Sequence, residues 1–234
     1  MKQYFLCFLF CFSYFIPPHA QSASDKDLYD KYWQEGAAFS DEGKWDKAAL
    51  SFTKAIQYYP KLPDNYGTYV NRASAYSMLG KLDQALADYN RVIKSFSDQS
   101  AKELGEVYYN RGAAYHRNGK PRLALDDYDK CLSIDPDIKS VHNKIAWLRA
   151  TSPDESIRNG KKAIKHALAA CGQTDNKNHS YIDTLAAAYA ESGDYDSAVK
   201  SIRLAIELAI ESDDKMEYGS RLVLYEKKQP YRLK

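Results

Sequence analysis

The sequence predicts an all-α solenoid of stacked helix–turn–helix units, and three observations predict it. Apolar residues recur at helical spacing in paired stretches, each pair split by a polar break that usually carries glycine. The alanine that marks the second stretch returns at Ala48, Ala85, Ala124, Ala163 and Ala198, at intervals of 37, 39, 39 and 35 residues. No single pair carries enough apolar surface to close a core, so the pairs must stack on one another.

The clearest unit runs over residues 108–136. Tyr108, Arg111, Gly112 and Tyr115 share one helical stripe, Asn118-Gly119-Lys120-Pro121 breaks the helix, and Leu123, Ala124, Tyr128 and Cys131 form the second stripe before Pro136. Small residues sit where two helices must approach closely. The same order is legible elsewhere. The first unit, 29–62, has Tyr32, Gly36 and Phe39, then Gly43, then Ala48, Phe52 and Ala55, and ends near Pro60. The second, 66–99, has Tyr69, Arg72-Ala73 and Tyr76, then Gly80, then Ala85, Tyr89 and Val92. The third spans 105–138, and a degenerate fourth, 139–178, carries Ala146 and then Ala163, Ala167 and Ala170, with Thr151-Ser152-Pro153-Asp154 inserted between its helices. The fifth, 179–212, has Ile182, Leu185-Ala186 and Tyr189, then Gly193, then Ala198, Ile202 and Ala205. Residues 213–234 follow as a capping helix and tail, with the helix expected over 215–226 and Leu222, Val223 and Tyr225 covering the open end of the array.

These positions resemble the tetratricopeptide repeat, which places an aromatic, a Leu-Gly pair, a Tyr, then Ala, an aromatic, Ala and Pro at set spacings. The resemblance covers about residues 27–212. The third unit departs from it with Arg111 and Cys131, and the second and fifth lack the closing proline. It implies a right-handed superhelical solenoid whose first helices line a concave groove. A narrower resemblance joins Ala146-Trp147-Leu148, Gly160-Lys161-Lys162-Ala163, Tyr181-Ile182-Asp183-Thr184-Leu185-Ala186 and the tail with Arg221, Tyr225 and Pro230-Tyr231-Arg232 to a group of bacterial tetratricopeptide proteins. Some of those are fused to kinases or other modules. No such module stands in this sequence, so the resemblance implies a standalone binding array.

Residues 1–22 read as a secretory signal peptide: Lys2, an apolar run over 4–16, then a small-residue exit ending at Ala20-Gln21-Ser22. Thirteen apolar residues are short for a bilayer span, which needs about 20. Cys7 and Cys11 lack the context of a lipoprotein signal, so the expected product is periplasmic or secreted; the other reading is an uncleaved anchor. An exported chain keeps Cys131 and Cys171, read as two buried thiols rather than a bridge.

The formal charge of +2, or +1 without residues 1–22, argues against a nucleic-acid partner. Histidines are scattered without metal-ligand spacing, no glycine-rich phosphate loop is present, and Asp126-Asp127 and Asp213-Asp214 read as solvated charges. No catalytic residue, metal or cofactor is expected. The 20 tyrosines suit inter-helix packing first, with a peptide surface as the second use.

Function then falls on the face opposite the packing stripe. In the third unit that face holds Glu106, Tyr109, Asn110, Ala113, His116 and Arg117; elsewhere it gives Trp33 and Gln34, Val70, Asn71 and Ser74, Asn143, Lys144 and Trp147, and Asp183 and Thr184. The candidate partner-binding residues are Trp33, Gln34, Asn71, Tyr109, Asn110, His116, Arg117, Lys144 and Trp147. By resemblance, Asn71 and Asn110 bind the backbone of an extended peptide; the plainer reading has them bonding neighbouring helices. Trp33, Tyr109 and Trp147 are aromatic anchors, with Trp147 equally placed to be core. Arg72 with Asp88 and Arg111 with Asp127 read as ion pairs inside their units. The expectation is a non-catalytic scaffold for a peptide or partner helix; the alternative is a spacer or assembly factor that uses its convex face, and an unrecognised enzyme is the remote one.

Overall fold

The computed structural model describes residues 23–96, 102–136, 138–172, 174 and 177–233; the expected signal segment lies outside them. Among the described residues there are eleven helices and no strand. They are α1 (Ala23–Asp41), α2 (Trp45–Tyr58), α3 (Tyr66–Met78), α4 (Leu82–Ser95), α5 (Lys102–Arg117), α6 (Pro121–Ile134), α7 (Lys139–Thr151), α8 (Gly160–Gly172), α9 (His179–Ser192), α10 (Tyr195–Leu208) and α11 (Ser212–Glu226).

Each pair is made by a short turn and a close approach. Gly43, Gly80, Gly119 and Gly193 stand at equivalent places in four turns, all with positive φ between 67° and 86°, where a side chain is strained. Pro121 then opens α6 at a position that needs no backbone donor. Within the pairs, a Cβ on Gly36 would lie 2.7 Å from the Phe52 ring, and one on Gly112 would lie 2.8 Å from the Tyr128 ring. The aromatic of the second helix thus packs on bare backbone of the first, which lets the two axes come together. Ala73 faces Tyr89 in the second unit and Ala186 lies with Ile202 in the fifth, all buried.

Pairs stack through the first helices: α3 touches α5, and α7 touches α9, as well as their in-sequence neighbours. Arginine reinforces the stacking. Arg72 of α3 makes a bidentate pair with Asp88 of α4, at 2.8 and 2.7 Å, and its third nitrogen reaches Thr53 of α2 at 3.3 Å. Arg111 of α5 repeats this with Asp127 of α6, at 2.7 and 2.6 Å, and with Asn90 of α4 at 2.6 Å. The expected ion pairs are present, and each arginine also ties its unit to the second helix of the unit before.

The second stripe of the third unit needs one correction. Ala124, Tyr128 and Cys131 are fully buried, but Leu123 is 44% exposed and Leu125 is buried instead. The two leucines flank the Ala124–Tyr128–Cys131 line on opposite sides, about 100° either way. Only the Leu125 side is met by the next unit, through Val141, Ile145 and Leu148.

The fourth pair is built differently. No glycine turn joins α7 to α8; residues 152–159 form a loop held by Arg158, which donates to the carbonyls of Ser152 and Pro153 at 3.0 and 3.1 Å. Gly160 starts α8 against the end of α9, with Ser192 backbone atoms 2.6 Å from where its Cβ would be. Cys131 and Cys171 are buried free thiols whose ionisation burial pushes up to about 11.

The array closes with α11, three residues longer at its start than the expected 215–226. Its covering face is Tyr218, Arg221 and Tyr225, with Leu222 half-buried; Val223 is 49% exposed and takes no part.

Three alanine substitutions separate these effects in thermal unfolding. Gly160→Ala meets backbone and is expected to cost the most, about 2–3 kcal/mol, and Gly112→Ala about 1–3 kcal/mol, because a tyrosine ring can shift a little. Gly219 lies inside α11 with nothing within 4 Å of a new Cβ, so Gly219→Ala is expected to raise stability by about 0.5–1 kcal/mol.

Candidate functional site

The first helices present a face on which the candidate residues fall into separate depressions. Trp33 and Ala37 of α1, Phe52 of α2 and Asn71 and Ser74 of α3 line one of about 230 Å³. Trp33 is 38% exposed there, an apolar plate beside a carboxamide that has both donors and an acceptor to offer. Gln34, its sequence neighbour, is exposed and lines none of these depressions.

Tyr109 belongs to a second depression, of about 420 Å³, with Tyr66, Glu106 and Ile138. Its ring is tilted against that of Tyr128 with centres 6.1 Å apart, so Tyr109 is half-buried against the core while also lining the depression. Asn110 departs from the expected ladder. Its amide donates to the Glu106 carbonyl one turn back, at 3.0 Å, which ties one of its two N–H groups to its own helix and leaves the other N–H and the Oδ1 for a ligand.

His116, Lys144 and Trp147 meet in a third depression of about 280 Å³, together with Asp183, Thr184 and Arg221. Residues of α5, α7, α9 and α11 thus converge on the same space. Burial first, then Lys144 and Arg117, pushes the His116 ring down to about 4, so it is neutral near pH 7. Burial, and then Arg117, also lowers Lys144. Arg117 itself turns away and donates to Ser77 of α3 at 3.0 Å.

Two parts of this site carry no helical periodicity that would mark them. The first is Arg221, only 4% exposed, which pairs with Asp183 at 2.5 Å and also with Glu217. Its guanidinium stands 4.9 Å from the Trp147 ring centre and 5.7 Å from that of Tyr218. Burial raises the Asp183 carboxyl while Arg221 pulls it down. The second is the tail. Tyr231 comes back to Trp147 with ring centres 5.8 Å apart, so the expected anchor is already partly covered by the chain itself.

Among the described residues no group of three or more His, Cys, Asp or Glu side chains is placed to hold a metal, and no helix is long and apolar enough to cross a membrane. His142 and His166 approach with Nδ1 atoms 2.9 Å apart, a pair in which only one ring can donate.

The buried His116 ring has a consequence for pH. An unfolded chain takes up its proton below about pH 6.5, and the folded chain refuses it until about 4, so stability falls as pH drops through that window. His116→Gln is expected to remove about 1–3 kcal/mol of that dependence. Melting temperatures of both proteins between pH 7 and 4.5 read this out, and equal slopes would contradict a buried neutral ring.

Comparison with known proteins agrees with this architecture. Residues 34–101, 105–138 and 180–209 each match the tetratricopeptide repeat family, together more than half of the chain. Tetratricopeptide repeat protein 36 of Caenorhabditis elegans is 38% identical over 60 residues, which is 26% of this chain and 32% of that protein, so the match spans about a third of the relative. PilF of Pseudomonas aeruginosa superposes with a TM-score of 0.67 at 14% identity, over 88% of this chain and 87% of that one. YrrB, a solved tetratricopeptide protein with an unusual peptide-binding site, gives 0.59 at 14% identity, over 86% of this chain and all of the other. With its paired helices, small-residue seams and repeated family matches, the chain belongs to the tetratricopeptide repeat family.

Proposed function

We propose that this chain is a non-catalytic interaction scaffold that holds an extended peptide or a partner helix across its first-helix face. The observation that carries this reading is the pair of depressions where aromatic rings stand beside amide or basic groups: Trp33 with Asn71, and Trp147 with Lys144 and His116. Rigid aromatic plates supply affinity and the polar groups beside them fix a backbone. That a fold neighbour is described as having a peptide-binding site supports the class of ligand. We extend the proposal to an exported protein, on the leader-like pattern of residues 1–22.

A second reading places the contact on the outer helices. Leu50, Leu123, Leu168 and Leu204 are 57, 44, 48 and 40% exposed there, one on each of α2, α6, α8 and α10. Singly placed leucines are common on soluble surfaces, which is why the first reading is preferred.

Peptides selected from a displayed library against the purified chain test the two. Trp33→Ala combined with Asn71→Ala is expected to weaken the selected peptides about 10–30-fold with helical content unchanged. Leu50→Glu combined with Leu204→Glu is expected to leave them unaffected; the reverse pattern assigns function to the outer face.

A further inference from the structure

After α11 the chain turns, with the Gln229 amide donating to the Leu224 carbonyl at 2.9 Å, and residues 230–233 run back over α7 and α9. Three successive side chains and the backbone are engaged. The Tyr231 ring lies against Trp147 and stacks on the Arg221 guanidinium, 4.7 Å from its centre. Arg232 donates to the Ala150 carbonyl at 3.3 Å and stands 2.6 Å from the Glu191 carboxylate. The Leu233 amide donates to the Thr151 carbonyl at 2.9 Å, and its side chain enters a depression of about 460 Å³ with His116, Arg117, Leu148 and Pro153.

The seat exists because the fourth unit lacks its glycine turn. A helix ends with carbonyls that have no partner within the helix, and a cation nearby suits the negative end of its dipole. In the units with a glycine turn, the turn amides take these carbonyls: Gly119 and Lys120 bond His116 and Tyr115, and Gly193 and Asp194 bond Ala190 and Tyr189. At α7 the loop leaves Ala150 and Thr151 to be met by Arg232 and Leu233.

The groups that form the seat are held without the tail. Glu191 is already paired with Arg158 at 3.2 Å, Arg158 is anchored on the loop carbonyls, and Arg221 is fixed on Asp183. Removing residues 230–233 strips no buried charge of its last partner, so the tail resembles a ligand more than a piece of core.

We propose that this seat at the C-terminal end of α7 is a peptide-binding site for extended segments of aromatic–arginine–aliphatic sequence, occupied in cis by Tyr231-Arg232-Leu233. The inference deepens the scaffold reading and rests on it: it names one site on the array and the chemistry it takes. Trp147 and Arg221 select a planar aromatic, the Ala150 carbonyl and the Glu191 carboxylate select arginine over lysine because two separate guanidinium nitrogens reach them at once, and the Leu148 depression takes a branched aliphatic. A partner segment must displace the tail, whose effective concentration is on the order of millimolar for so short a tether.

The test uses a fluorescein-labelled peptide copying residues 227–234 and the chain ended after Lys228. The shortened chain is expected to bind the peptide saturably, and the full chain about tenfold or more weakly, because the seat is filled. Glu191→Gln in the shortened chain, and Arg→Lys in the peptide, are each expected to lower affinity about fivefold or more. Should the shortened chain fold poorly, Tyr231→Ala with Arg232→Glu in the full chain frees the seat at unchanged length. Binding no better than that of a scrambled peptide overturns the proposal, as does loss of folding in both proteins, since the tail would then be core. Dimerisation of the full chain that Arg232→Glu abolishes gives the seat to a second copy's tail and overturns occupancy in cis. If library peptides still depend on Trp33 and Asn71 while the tail peptide fails, the seat is wrong and the scaffold reading stands.

Discussion

The fold depends on how closely the two helices of a unit approach. Where Phe52 meets Gly36 and Tyr128 meets Gly112, the ring occupies the volume a side chain would have taken. That contact sets the hairpin geometry, and the geometry leaves each hairpin with apolar surface it cannot cover by itself. Stacking covers it. The clusters around Tyr69 and Tyr89, around Tyr128 and Val141, and around Ile182 and Ile202 all join residues of neighbouring units rather than of one. A solenoid of this kind is held by neighbours, so its two ends and any irregular unit are where its chemistry departs from the repeat.

The irregular unit here is the fourth. Upstream, Arg72 and Arg111 clamp an aspartate in their own unit and reach a polar side chain in the one before. In the fourth unit a histidine, His166, stands three residues after Ala163, where Asp88 and Asp127 stand after Ala85 and Ala124. The Arg149 Nε is buried without a hydrogen-bond partner, where the Nε of Arg72 and of Arg111 each donates to the aspartate of its own unit. The connection changes with it, from a glycine turn to a loop braced by Arg158. The consequence is a helix end with carbonyls open to an outside donor, next to a tryptophan and a carboxylate.

Most of the fold was legible because it is periodic. The alanines and turn glycines report the pairs, and the Asn-Arg and Asp-Tyr doublets report Arg72–Asp88 and Arg111–Asp127 because they recur in register. What was not legible lacks a period. Leu123 and Leu125 flank the same buried line, and only the placement of the next unit decides that Leu125 is the one covered. Val223 looks as apolar as its neighbours, but α11 turns Tyr218, Arg221 and Tyr225 inward. Arg221 and Asp183 are 38 positions apart, and nothing local links them. Residues 227–233 read as the end of a cap, and their return to Trp147 follows from a turn whose direction the residues do not announce. Asn110 shows another limit: the sequence aligns it with Asn71, but does not announce that one of its two amide N–H groups bonds its own helix.

The central claim is that partners are held on the first-helix face. The indole signals of Trp33 and Trp147 and the side-chain amide of Asn71, followed by nuclear magnetic resonance while a selected peptide is added to the isotopically labelled chain, test it most directly. These signals are expected to move together with those of Tyr109 and Lys144, while residues around Leu50, Leu123, Leu168 and Leu204 stay in place. Movement confined to the outer helices, with Trp33, Asn71 and Trp147 unmoved at saturation, would contradict it.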